Sequence, residues 1–219
     1  MKPRASLVFG PQRLVSLLLT PRVFFSHPDL MRDRLGIIIA AALVGITNAM
    51  GRLDQNLSKA DIRQQQALDG FTRWATSSWL QYWVIVILTG LVSAVLSWYI
   101  GGWFYRKRLE WSGAGEVEPD DARSLSVLQD MVWVLPMVLM AVIQTLSYAN
   151  YAEAWEATTT VSAMMMVFVF WSCWTSYCAA TTVYTLKKTQ ARFWFLILPA
   201  IFYVVILGVF GMLYAMLPH

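Results

Sequence analysis

The run WLQYWVIVILTGLVSAVLSWYIGGWFY (Trp79–Tyr105) holds 27 consecutive residues without a charge and ends directly on Arg106-Lys107-Arg108. As a helix rising about 1.5 Å per residue it reaches roughly 40 Å, more than the ~30 Å hydrocarbon core of a bilayer. Lipid offers the backbone no hydrogen bonds, so such a run is helical from end to end. It predicts a transmembrane helix that tilts or projects past the bilayer, with the basic triplet at a headgroup surface.

Four further charge-poor runs lie outward from it: Leu35 to Gly51, Met131 to Tyr148, Val161 to Leu186 and Phe193 to Leu217. The chain has 219 residues, 58% of them hydrophobic and 14% charged, where a soluble domain carries about 25% charged. The mean hydropathy of +0.51 agrees. The net charge of +4 suits anionic headgroups. With no basic stripe interleaved with aromatics outside the apolar runs, nucleic acid is not an expected partner.

The first run, 17 residues long, is at the short limit for crossing. Charge asymmetry decides it. Lys and Arg number six ahead of that run, four in each of the next two connections, none in the third, three in the fourth and none after the last. Five crossings place thirteen on one side against four on the other. Without the first crossing the split is ten against seven. The positive-inside bias therefore predicts an all-α integral membrane helical bundle with five transmembrane helices, N-terminus cytoplasmic and C-terminus outside. The basic start Met1-Lys2-Pro3-Arg4 is followed by a stretch that Pro11, Arg13, Pro21 and Arg22 interrupt, so no cleavable leader is expected.

Residues 1–34 then form a cytoplasmic segment. In it Leu14, Leu17 and Leu18 keep the i, i+3, i+4 spacing of an amphipathic helix at the interface. Residues 35–217 form the five-helix domain. In the first connection Ser58, three residues before Asp61, reads as the cap of a small helix that Gly70 stops.

The predicted spans hold no ionisable residue; Asp130 stands at the mouth of the third. Ion-coupled pumping, which relies on such groups, is disfavoured. Gln144, Thr145 and Asn48 are the candidate intramembrane polar contacts, and interhelical hydrogen bonding is their commonest use. Small residues recur at every fourth position in Ala41, Gly45 and Ala49, in Ser93, Ser97 and Gly101, and in Ser172, Ser176 and Ala180. These are candidate packing faces within the bundle or towards a partner. Pro136 and Pro199 are expected to kink their helices. Arg106, Lys107, Arg108, Lys187, Lys188 and Arg192 are expected to contact headgroups.

No catalytic, cofactor-binding or metal-ligating set emerges. Glu116, Glu118, Asp120 and Asp121 lack calcium-loop spacing. His27 and His219 belong to no HExxH pair, and no Gly-x-Ser-x-Gly elbow is present. Cys173 and Cys178, five residues apart on one helix, point about 140° away from each other.

The order of these features resembles the Yip family, Rab-interacting five-span membrane proteins, and in particular its shorter bacterial relatives. The residues that carry the resemblance begin with Leu-Thr-Pro-Arg-Val-Phe-Phe at Leu19–Phe25, directly before a short first span. The long second span ending in Arg106-Lys107-Arg108 follows, then a glycine-containing loop and a third span with Pro136. Last come Trp171, Trp174 and Tyr177 on the fourth helix, Lys187-Lys188 leading to Ala191, and Pro199 in the fifth span. The long N-terminus and the Asp-Leu-Tyr-Gly-Pro motif of eukaryotic members do not precede the first span. The resemblance thus implies a member in a bacterial inner membrane rather than a Rab binder. It implies a non-enzymatic role as scaffold or adaptor in membrane organisation, lipid handling or trafficking, with membrane lipids and protein partners or a second copy of the chain as partners. A small transporter, channel or lipid scramblase is the other expectation.

Overall fold

The computed structural model describes residues 8–62 and 70–215, apart from the side chains of 61, 62, 159, 160, 162, 163, 210, 211 and 213–215. Lys2, Arg4, Arg63, Leu217 and His219 lie outside the described residues. Helices α1 (Pro11–Leu19), α2 (Pro21–Phe25) and a 3-10 turn (Leu30–Arg32) lead to α3 (Arg34–Ile62). After α4 (Gly70–Thr76), α5 (Trp79–Leu96) passes through a π turn (Ser97–Gly101) into α6 (Gly102–Trp111). Next are α7 (Pro119–Ser147), α8 (Tyr151–Met164), α9 (Met166–Val183) and α10 (Lys188–Arg192). A second π turn (Phe193–Ile197) then enters α11 (Leu198–Ala215). The chain is an all-α bundle, and among the described residues five helices are long and apolar enough to cross a membrane: Arg34–Ala60, Trp79–Trp111, Pro119–Ser147, Met166–Val183 and Lys188–Val209.

The doubtful first run sits in a 29-residue helix, roughly 43 Å long, so its reach is sufficient. Asp33 starts it by accepting a hydrogen bond from the Gly36 N–H at 3.1 Å. Its other oxygen takes the Val8 N–H at 3.0 Å, tying the N-terminal segment to the same point. Ser58 lies inside this helix and Gly70 begins α4, so neither bounds a small helix as the cap pattern suggested. The apolar face of α3 carries the helix straight past the weak local cap signal.

The ends of the helices sort into two groups. Trp79 Nε1 donates to the Tyr148 carbonyl at 2.8 Å, joining the start of α5 to the end of α7, and Tyr151 reaches Asp54 of α3. At the opposite end the Lys187 N–H donates to the Ser112 carbonyl at 3.0 Å, joining the α6–α7 and α9–α10 connections. The N-terminal segment docks at that same end, where Phe24, Phe25 and Leu30 share a core with Leu109, Val117 and Ala191; further back along α9, Trp171 Nε1 donates to the Leu18 carbonyl at 2.8 Å. This is the alternation that five crossings require.

The amphipathic stripe of α1 is only half interfacial. Leu17 is fully buried, with Phe24, Phe25 and Leu30, in the main core, while Val15, Leu19 and Val23 stay exposed. That core joins the segment to α6, α7, the end of α9 and Phe195. A smaller cluster around Tyr82, Tyr151, Leu53 and Leu57 closes the other end. α7 continues unbroken through Pro136. Pro199 is the second residue of α11, with Leu198 between it and the second π turn, and the turn accommodates the N–H that proline lacks.

Glycines bring α3 and α5 into direct backbone contact. A Cβ on Gly45 would lie 2.2 Å from the Gly90 carbonyl oxygen, and one on Gly90 would lie 2.8 Å from Ile46 Cα. The Ala41–Gly45–Ala49 face is thus used within the chain, but its counterpart is Gly90 and Ala94 rather than the Ser93–Ser97–Gly101 stripe. Gly101 instead faces Ser126 of α7. Ser172, Ser176 and Ala180 are buried.

Gly45→Leu is expected to destabilise the bundle by about 3 kcal/mol through overpacking against backbone. Gly51→Leu on the same helix, with nothing within 4 Å of its Cβ, is expected to be near neutral. Thermal unfolding in mild detergent measures both, and equal midpoints would deny the close approach.

Candidate functional site, a polar cleft among the first three spans

Asn48 stands midway along α3, and Ser97 opens the π turn at the end of α5. Asn48 Nδ2 donates to Ser97 Oγ at 2.9 Å. Two clefts meet at this bond. One, of about 560 Å³, is lined by Thr47, Gly51, Arg52 and Gln55 of α3, by Ser93 of α5, and by Trp133 and Met137 of α7. The other, of about 300 Å³, is lined by Val44, Ile100, Gly101, Ser126 and Asp130. Asn48, Leu96 and Ser97 belong to both.

The local sequence explains the opening. The backbones of α3 and α5 touch at Gly45 and Gly90, so the next residues around each helix, Thr47 and Asn48 facing Ser93 and Ser97, flank the contact. The π turn then shifts the register of α5 before Gly101 and Gly102. Such single-turn π segments are frequent at functional sites. A Cβ on Gly102 would lie 2.9 Å from Arg123 Cα, so α6 is pressed onto α7 just past the cleft. The result is a seam of amide, hydroxyl and carboxyl groups between helices whose outer faces are apolar, with Arg52 at one mouth and Asp130 towards the other.

Asp130 stands in the twelfth position of α7 and is half-buried. Gln129 Nε2 donates to its Oδ1 at 3.4 Å. Nearby, Arg108 is buried, with 9% of its surface exposed, and so departs from the expected headgroup contact. Its Nε donates to the Trp194 carbonyl at 3.0 Å, and its guanidinium lies over the Phe195 ring at 4.3 Å. Phe104 and Tyr105 also approach it. A flat, weakly hydrated guanidinium tolerates such aromatic surroundings far better than an ammonium does. Arg106 and Lys107 remain half-exposed, both paired with Glu110.

The other polar candidates serve as ties between elements. Gln144 Nε2 donates to Thr158 Oγ1 at 2.7 Å, linking α7 to α8. Thr145 Oγ1 accepts from Trp83 Nε1 at 3.1 Å and donates to the Ala141 carbonyl at 2.7 Å. Of the three, Asn48 alone lines the cleft. Lys187 covers Gly113, whose φ of 86° suits glycine. Lys188 and Arg192 line a separate pocket with Arg22.

Two features were not legible in the sequence. One is the burial of Arg108. The other is the clasp at the opposite end, where Tyr151 donates to Asp54, stacks on Tyr82 at 4.1 Å, and has Trp79 edge-on at 5.7 Å. Burial first, and the Asp54 carboxyl next, raise the Tyr151 phenol well above its ordinary value, so it remains a donor. Among the described residues no three His, Cys, Asp or Glu side chains gather to hold a metal.

Tyr151→Phe is expected to cost about 2 kcal/mol by leaving the Asp54 carboxyl short of a donor. In an Asp54→Leu background the same change should cost clearly less. A double-mutant cycle on thermal stability reads the coupling, and strict additivity would contradict the bond.

Compared with protein-family models, with curated proteins and with solved structures, the chain matches none.

Proposed function

We propose that the chain is a non-enzymatic, Yip-like protein of a bacterial inner membrane that handles lipids as part of membrane organisation or trafficking. The observation that supports this most is the polar cleft centred on Asn48 and Ser97. A polar seam inside an apolar bundle suits the headgroup or glycerol region of a lipid, whose acyl chains stay against the exposed faces of Leu88, Leu91, Val92 and Leu96. The N-terminus and the connections carrying Arg106, Lys107, Lys187 and Lys188 lie in the cytoplasm. Protein partners, or a second copy of the chain, are reached from outside the core, because Gly45, Ala49, Ser172, Ser176 and Ala180 are already covered within it.

Asp130, half-buried in the cleft, favours a second reading, in which the seam is a path for lipid or solute rather than a holding site. Reconstituted liposomes separate the two. Lipid movement across the bilayer supports the path, and its absence leaves the scaffold.

Lipid retained after purification in mild detergent is expected, and filling the cleft by Asn48→Leu with Ser97→Leu should reduce it at least severalfold. Mass spectrometry of the intact protein measures this. A wild-type protein carrying neither lipid nor partner would overturn the reading. For sidedness, single cysteines replacing Glu116 and Glu153 in a background without Cys173 and Cys178 should label from opposite faces of intact cells. Labelling from one face would break the topology.

A further inference from the structure

Three cations meet at the end of the bundle where the N-terminal segment docks, away from the cleft. Arg22 comes from α2, and Lys188 and Arg192 from α10. With the last turn of α9 and the link that follows it they surround a pocket of about 460 Å³. The hydroxyls of Thr181, Thr182, Tyr184 and Thr185 line the same space.

Arg22 is brought there by structure. Pro21, Phe24 and Phe25 are buried, and Trp171 holds the Leu18 carbonyl, so α2 is fixed against α9, with Arg22 beside Cys178 of α9 and on the lining of the pocket that Lys188 and Arg192 share. Lys188 and Arg192, four residues apart, share one helix face. The ion pairs among the described residues lie elsewhere, on Asp29, Glu110 and Asp120. Like charges four apart on a helix repel, and a third from another element adds to this. An arrangement that gathers three cations without a carboxylate in the pocket lining suits a bound anion. The nearest acids, Asp121 and Glu118, act on the Tyr184 side. Burial together with those two acids lifts the Tyr184 phenol to about 12, so it faces the pocket as a neutral hydroxyl.

Depth narrows the ligand. Directly after Arg192 the chain becomes Phe193-Trp194-Phe195-Leu196-Ile197, the start of the fifth span, so the cations stand where a bilayer presents phosphate. Basic pockets between transmembrane helices at that level take anionic headgroups.

We propose that Arg22, Lys188 and Arg192, with the hydroxyls of Thr182 and Thr185, form a binding site for the phosphate of an anionic phospholipid headgroup. The site rests on the reading that this end meets a lipid surface, and it gives that reading a charge preference. Arg192 and Lys188 grip the phosphate from α10. Arg22 closes the third side and couples the N-terminal segment to the bound lipid.

The test uses the full chain in neutral detergent with three probes: dihexanoyl phosphatidylglycerol, dihexanoyl phosphatidylcholine and inorganic phosphate, with binding followed by intact-protein mass spectrometry. Phosphatidylglycerol should bind at least tenfold tighter than phosphatidylcholine. Arg22→Gln and Lys188→Gln should each weaken it about fivefold, with thermal stability retained, because both side chains are exposed. Arg106→Gln, on a residue held by Glu110 outside the pocket, should change nothing. Equal binding of the two lipids overturns the site, and so does binding of phosphate without phosphatidylglycerol. If Asn48→Leu abolishes phosphatidylglycerol binding while Arg22→Gln does not, the pocket is refuted and the cleft reading stands. If the cleft variants leave lipid retention unchanged while Arg22→Gln removes the preference, the cleft reading fails and the pocket stands.

Discussion

The approach of α3 to α5 at Gly45 and Gly90 governs the rest of the bundle. Neither helix could come this close with a Cβ in place. Between apolar helices in lipid there is no hydrophobic force to exploit, so contact area and interhelical hydrogen bonds hold the pair. Contact at Gly45 fixes the rotation of both helices. It turns Tyr82 and Val86 inward on the same i, i+4 row as Gly90, and it leaves Asn48 opposite Ser97. The cleft follows from that rotation, since α7 meets the pair through Trp133 and Met137 on one side and Ser126 on the other without filling the space between.

Away from this contact the stabilising interactions lie at the two ends rather than in the middle. One end has a core of large side chains, with Leu17, Phe24, Tyr105, Leu109, Leu128 and Phe195 almost wholly enclosed. The other has the aromatic clasp of Trp79, Tyr82 and Tyr151 on Asp54. Between them, only 6% of the residues in the most apolar stretch of the fifth span are buried. In water such a helix would be unstable. In a bilayer its exposed Ile201, Phe202, Val204 and Val205 are in their proper solvent, and helix formation alone satisfies the backbone. The ends therefore set the geometry, and the middle is free to meet lipid.

The number of helices and their alternation were legible because charge and hydropathy report solvent, and solvent more than anything else decides where a membrane helix begins and ends. The Gly45 face was legible because small residues at every fourth position have few other uses in lipid. Its counterpart on α5, Gly90 and Ala94, was not singled out, since α5 carries two such stripes and only packing chooses Gly90 over Ser93. Arg108 was grouped with Arg106 and Lys107 because adjacency in sequence suggests a shared environment. On a helix, successive residues point about 100° apart, so one member of a basic triplet can turn inward where a neighbour supplies a carbonyl and an aromatic face. The clasp was hidden because Asp54 and Tyr151 are 97 residues apart, each in a stretch whose hydropathy marks it as connection. The Ser58 cap was outweighed by continuation of α3, the usual outcome when a local signal opposes a long helix already nucleated.

The cleft and the basic pocket belong to different elements, and this bears on how they act together. The cleft is built by α3, α5 and α7, the pocket by α2, α9 and α10. They share the main core, where Leu128 and Val127 of α7 pack in one cluster with Phe24, Tyr177 and Ala191. Arg108 sits against that core as well, over the Tyr105 and Phe195 rings and pinned to Trp194 just after the pocket. A buried charge held by one carbonyl and three rings is sensitive to small displacements of either partner, because its desolvation must be matched by contact. A movement of α10 that follows an anion at Lys188 and Arg192 would shift Trp194, and with it the cation that its carbonyl holds. The guanidinium that the fold buries here thus joins α6, which continues from the π turn of the cleft, to the chain that follows the pocket.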